Sequence, residues 1–163
     1  MVILGIDPGY AIAGYGIIEK NGGKVSMLGY GAIRTGKETS IAQRLKQLGE
    51  GIDTLIAQYS PDAIAVEELF FHTNQKTAIM VAQARGVILY KACQSKAILY
   101  EYTPLQIKQA LTGYGRADKA QIQQMVKVLL GLSAIPKPDD AADALAVALT
   151  HSQTDRLSSL YKV

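Results

Sequence analysis

Apolar positions near the start of the chain come in short blocks. VILGID, residues 2–7, is almost continuous and reads as a buried strand. AGYGIIEK follows a short Gly-Tyr turn and reads as a second strand, Asn21-Gly22-Gly23 marks a tight turn, and KVSMLGYGAIRT resumes as a third. Strands joined so closely predict an antiparallel meander. The period then changes. Ile41, Leu45, Leu48, Ile52, Leu55, Ile56 and Tyr59 share one helical face, with Ser40 as the N-cap and two glycines, Gly49 and Gly51, in the middle. Pro61 opens DAIAVEE, whose lack of alternation suits a central strand covered on both faces.

The second half alternates helix and strand. A helix over Gln75–Cys93 carries Ile79, Met80, Val81, Val87, Ile88 and Leu89, too many for one stripe, so it must be covered twice. One cover is its own sheet, and a second subunit can supply the other. KAILYEY predicts a fifth strand. Thr103-Pro104 is an N-cap followed by proline at the first helical position. GYGRAD breaks that helix, KAQIQQMVKVLLGL forms the next, and DDAADALAVALTHS the last. The order predicts an α/β fold, a mixed five-stranded sheet of three antiparallel strands with parallel additions, flanked by helices. We expect one domain over residues 1–153 and a polar, frayed tail over 154–163.

Composition narrows the class. At 163 residues, 48% hydrophobic and 19% charged, the chain suits one globular domain. Its one cysteine, Cys93, excludes an internal disulfide and fits a cytoplasmic setting. No secretory signal is expected, and the most apolar long run, AIMVAQARGVILYKAC, is broken by Gln83, Arg85 and Lys91, so no membrane span is expected. The net charge is only +3, but it is unevenly placed: between Pro104 and Lys137 stand Lys108, Arg116, Lys119, Lys127 and Lys137 against Asp118 alone. A basic region beside an otherwise slightly acidic chain suits a polyanion held against carboxylates, although the same lysines would also serve as a solvated helix face.

Four acids stand in unusual places. Asp7 closes the first strand just before Pro8-Gly9. Glu67 closes DAIAVE, with Glu68 on the opposite strand face, and parity alone does not choose between them. Asp140 and Asp143 lie three apart on the last helix and share a face. Asp143 sits among Ala141, Ala142, Ala144, Leu145 and Ala146, where an unpartnered charge would be costly. Asp139 and Asp140 both suit the helix dipole as first-turn acids, and for Asp139 that explanation is preferred. If the four converge, they offer all-oxygen ligation to a hard divalent cation such as Mg2+. Two such ions about 4 Å apart cut phosphodiesters. Without metal, mutual repulsion would raise one or more of their pKa values.

GIDPGYAIAGYG, AVEELFF, NQKTAIMVAQARGV, IKQALTGYGRADKAQIQQMV and PDDAADALAVALTH, in that order, resemble the RuvC family of bacterial Holliday-junction resolvases over nearly the whole chain. The resemblance implies a ribonuclease-H-like fold and a homodimer packed largely through the Gln75–Cys93 helix. It implies Mg2+-dependent paired nicking of four-way junction DNA, with Mn2+ as a substitute. Carried over by position, the ligands are Asp7, Glu67, Asp140 and Asp143, which selects Glu67 over Glu68; some members place His where Asp140 stands. Lys108 and Lys119 match basic residues linked to DNA binding and catalysis. Phe70 matches an aromatic that stacks on an unpaired base, while Phe71 is equally a loop anchor. The branch-migration proteins RuvA and RuvB are implied partners.

The residues suggest further DNA contacts at Asn74 and Lys76, in a polar loop and helix start, and at Arg116 with Lys119, beside a glycine-rich break that suits a phosphate seat. Arg85 can pair across a dimer or reach phosphate. His151 reads as a solvated helix end, and Cys93 as packing. Competing readings are an RNA-processing nuclease of the same superfamily, a non-catalytic junction-binding module, and an actin-like nucleotide-binding fold, for which the chain is short.

Overall fold

A computed structural model describes residues 1–69, 75–154 and 160–163, leaving out the side chains of Gln75 and Lys76. The strands are β1 (Val2–Asp7), β2 (Ile12–Asn21), β3 (Lys24–Arg34), β4 (Ala63–Glu67) and β5 (Ile98–Tyr102). The helices are α1 (Ile41–Tyr59), α2 (Gln75–Gln94), α3 (Pro104–Thr112), α4 (Lys119–Leu129) and α5 (Asp139–Thr154). The sheet runs β3-β2-β1-β4-β5. β1–β2 and β2–β3 pair antiparallel, and β1–β4 and β4–β5 pair parallel. The expected meander with parallel additions is therefore the fold.

β1 is central and its alternation divides the core. Ile3, Ala63, Ala65 and Tyr102 face α3, α4 and α5, packing with Ile107, Ile122, Val126 and Leu145. Leu4, Ile6, Ile64 and Val66 face α1 and α2, packing with Leu48, Ile52, Ala84 and Ile88. By the same parity, Asp7 and Glu67 belong to the α5 side, because successive strand residues point to opposite faces.

Caps set the helix starts. Ser40 with Gln43, Thr103 with Gln106, and Asp118 with Gln121 each form a reciprocal capping box. The first two follow the sequence expectation, and Asp118 proves to be a cap as well. α4 stops at Leu129, short of the expected LLGL, and Gly131 beyond it takes φ +62°. β5 begins at Ile98, two residues later than the pattern suggests.

Two expectations are corrected here. The chain end is not frayed at residues 160–163: Glu101 N–H donates to Tyr161 O, Val163 N–H to Leu99 O, and the Tyr161 ring packs tilted against Tyr102 with centroids 5.0 Å apart. These bonds cover the exposed edge of β5, which would otherwise present unpaired backbone groups. His151 is not solvated either. It is 1% exposed, its Nδ1 lies 2.7 Å from the Tyr102 hydroxyl, and its ring lies 4.2 Å from that of Tyr100. The helix is long enough to carry His151 over β5, and an aromatic pocket with a hydroxyl partner satisfies a buried imidazole.

Candidate active site

The site forms where β1 and β4 end. Asp7 lies one residue beyond the Ile6–Val66 pair, so the parallel register sets Glu67 beside it. Across the other edge Asp7 pairs with Gly14. α5 crosses this end of the sheet at very short range. A Cβ on Gly14 would lie 1.9 Å from the Asp140 carbonyl oxygen, and one on Gly5 would lie 2.1 Å from that of Ala144. Both contacts are with backbone and cannot be relieved by a rotamer change. The bare strand surface meets the alanine face of α5, and this brings the first two turns of the helix, with Asp140 and Asp143, to the end of β1. Gly5 and Gly14 were not singled out from the sequence; glycines opposite an alanine-rich helix are the signal that would have found them.

Asp7, Glu67 and Asp143 line a cleft of about 240 Å3 together with Lys108 of α3 and Lys119 of α4. Asp140 stands close enough to Asp7 to raise its pKa. Burial, then the charges of Glu67, Asp143 and Asp140, push the Asp7 carboxyl from its ordinary 3.8 up to about 8, with Lys119 opposing. Burial and Asp143 push Glu67 from 4.5 to about 7, against Lys119 and Lys108. Both carboxyls thus retain protons near neutrality for want of positive charge. Lys119 supplies part of it: its Nζ donates to Asp143 Oδ2 at 2.8 Å and lies 3.9 Å from Asp139. That hydrogen bond raises the Lys119 pKa. Asp139 is held below the usual carboxylate range, chiefly by Lys137 at 2.6 Å.

Among the described residues, no three His, Cys, Asp or Glu side chains close on a single point. The donor chemistry nevertheless fits a hard divalent cation. The groups are all carboxylates, two have pKa values raised by burial and repulsion, and the Lys119 ammonium reaches Asp143. A divalent ion would offset the same charge more completely.

The structure thus places Asp7, Glu67 and Asp143 in one cleft with Lys108 and Lys119, and Asp140 near enough to Asp7 to act on its charge. Glu68 is exposed, lies just beyond β4 and lines a neighbouring cavity rather than the cleft. Arg116 is exposed, and the start of α4 is already occupied by the Asp118 carboxylate, which accepts from Gln121 N–H at 2.8 Å. Phe70 and Asn74 lie outside the described residues, as does the Lys76 side chain. Arg85 pairs within the chain, with Glu101 of β5.

An antiparallel three-stranded edge continued by two parallel strands, with helices on both faces, is a ribonuclease-H-like fold, here with carboxylates at the ends of its central strands. The family model of the crossover junction endodeoxyribonuclease RuvC matches residues 3–151. The RuvC of Alkaliphilus metalliredigens is 55% identical over 163 residues, covering 100% of this chain and 99% of that one. The RuvC of Clostridioides difficile is 53% identical over 162 residues, covering 99% and 96%. The structure of Thermus thermophilus RuvC in complex with a Holliday junction substrate superposes with a TM-score of 0.93 at 35% identity, covering 100% and 99%. The chain belongs to the RuvC family of crossover junction endodeoxyribonucleases. It is a nuclease of the Holliday-junction-resolving class, and use of a divalent metal goes with that family.

Proposed function

We propose that Asp7, Glu67, Asp140 and Asp143 hold two Mg2+ ions, with Mn2+ able to substitute, and that a homodimer nicks two symmetric strands of a four-way DNA junction. The supporting observation is the shared cleft, in which two carboxyls raised to about 8 and about 7 stand beside Asp143, Lys108 and Lys119. When bound, the ions supply an activated attacking water and stabilise the departing 3′ oxygen. The residues of the chain do the rest. The four carboxylates fix the site at the rigid end of β1. Lys108 and Lys119, on separate helices, hold the phosphate against that acidic site. Lys119, which donates to Asp143 in the metal-free site, would be free to turn to the phosphate if a cation took over that carboxylate. The products are a 5′-phosphate and a 3′-hydroxyl.

The dimer reading rests on α2. Ile79 and Tyr90 are 62% and 63% exposed, and Met80 is also exposed, although the other side of this helix buries Ala84, Ile88 and Ala92. A two-fold pairing of this face would place two sites on a two-fold junction, so that paired incision follows from symmetry. Phe70, Asn74, Lys76 and Arg116 are proposed as further DNA contacts. The RuvA and RuvB branch-migration proteins are proposed as partners in the cytoplasm. No described helix is long and apolar enough to cross a membrane.

The test is cleavage of a synthetic four-way junction beside a linear duplex and an RNA–DNA hybrid, with and without Mg2+, using Asp143→Asn as control. Paired symmetric nicks on the junction alone, lost in the variant with binding retained, are expected. Preferred cutting of the hybrid would move the protein to RNA processing. Tight junction binding without cutting under any divalent metal would leave a recognition module.

A further inference from the structure

We propose that an apolar recess beside the carboxylate cleft seats one nucleobase of the strand being cut, next to the scissile phosphate, with Leu105 as its main contact. The inference rests on the nuclease reading of Asp7 and Glu67. These two acids line both the catalytic cleft and a second cavity of about 620 Å3, otherwise lined by Glu68, Leu69, Thr103, Pro104 and Leu105. A cavity of that size falls in the range of small-molecule sites.

The two neighbours differ in chemistry. Among the described residues, the cleft has Lys108 and Lys119, whereas the recess has no cation and three apolar side chains. Phosphate is disfavoured in the recess by the two shared acids and Glu68. The start of α3 does not attract it either: Thr103 Oγ1 already accepts from Gln106 N–H, and Pro104 has no N–H to offer. Leu105, in the first turn of α3, is 54% exposed and lies three residues before Lys108. A nucleotide is likewise divided, with an anionic phosphate joined to a flat, weakly polar base. Phosphate at the lysines and base against Leu69, Pro104 and Leu105 matches this division. An unpaired base near a junction centre has a free face to bury, and such contacts are tolerant of sequence.

The experiment combines a protein change with a substrate change. Leu105→Ser and Leu105→Met are compared with the unaltered chain in single-turnover cleavage of junctions carrying one abasic nucleotide, placed in turn on each side of the nick. An abasic nucleotide keeps the sugar and phosphate and removes only the base. Leu105→Ser is expected to slow cleavage of the intact junction roughly tenfold with its melting temperature unchanged, and Leu105→Met to restore the rate. At one flanking position the abasic junction should slow the unaltered chain by a similar factor, and Leu105→Ser should add no further loss there. Wild-type rates for Leu105→Ser, or losses that multiply at every abasic position, would overturn the base pocket. If the unaltered chain cuts no intact junction with any divalent metal, the nuclease reading fails, and the pocket fails with it.

Discussion

Lys119 Nζ stands 2.8 Å from Asp143 Oδ2, so the first residue of α4 neutralises an acid in the second turn of α5. The pair ties a residue of the basic region to a carboxylate of the acidic site. The Lys119 ammonium opposes the upward shifts of Asp7 and Glu67, to which Asp143 contributes.

Removing that ammonium should therefore act through its neighbours as well as through the substrate. Lys119→Met is expected to lower junction cleavage about a hundredfold, the usual loss for a preorganised charge at a reacting phosphate. The acidic limb of its pH–rate profile should also move upward, because Asp7 and Glu67 lose the charge that holds their pKa values down. An unmoved limb would show that Lys119 serves the phosphate alone.

The raised carboxyls set a pH dependence of stability. The folded chain keeps protons on Asp7 to about 8 and on Glu67 to about 7, whereas their ordinary values are 3.8 and 4.5. Over that window the folded state binds more protons than the unfolded state, so metal-free stability should fall as pH rises. The melting temperature in chelator should drop between acidic and mildly alkaline buffer. Mg2+ should flatten the decline by binding the deprotonated site, and Asp7→Asn should flatten it without metal. An equal slope in Asp7→Asn would assign the pH effect to other groups.

Gly14→Ala should be costly far beyond its size. Its Cβ would sit 1.9 Å from the Asp140 carbonyl oxygen, so α5 must shift away from the sheet. A loss of about 1–3 kcal/mol in urea unfolding is expected, with cleavage reduced in the molecules that remain folded. Gly23→Ala, which meets nothing within 4 Å, is the matched control and should be neutral.

Tyr102→Phe tests the aromatic pocket behind the site. The Tyr102 hydroxyl lies 2.7 Å from His151 Nδ1 and accepts from Thr154 Oγ1 at 3.1 Å. Its loss removes a buried hydrogen bond and should cost about 0.5–1.5 kcal/mol. Thermal melting checks this; an unchanged midpoint would mean that water replaces the hydroxyl.

A charge on the outer face of α2 should break the proposed dimer. Tyr90→Glu is expected to sediment as a folded monomer that binds a junction weakly and loses paired incision. A variant that remains dimeric would place the interface elsewhere.

Much of this protein was legible in its sequence. The unbroken apolar runs at Val2–Asp7 and Ala63–Glu67 marked strands covered on both sides, because a strand buried on two faces has no polar face to show. Ser40 and Thr103 announced helix starts, since a cap is a local device whose signal lies within four residues. Asp7 and Asp143 stood out as acids in unusual places, whereas Asp140 also suited the helix dipole and Glu67 was preferred to Glu68 only by the family resemblance.

Tertiary structure decided how those pieces meet. The chain order leaves open which strands are neighbours; the order β3-β2-β1-β4-β5 sets β4 beside β1, and the Ile6–Val66 register puts Glu67 next to Asp7. The close approach of α5 depends on Gly5 facing Ala144 and Ala148 and on Gly14 facing the Asp140 backbone, a match between segments over a hundred residues apart. The burial of His151 and the return of residues 160–163 to the β5 edge likewise depend on neighbours distant in sequence. Local pattern reports what a residue needs, burial or solvent, helix or strand. Which distant group meets the need follows from packing the whole chain around one core, and here that packing also determines the charge state of the site.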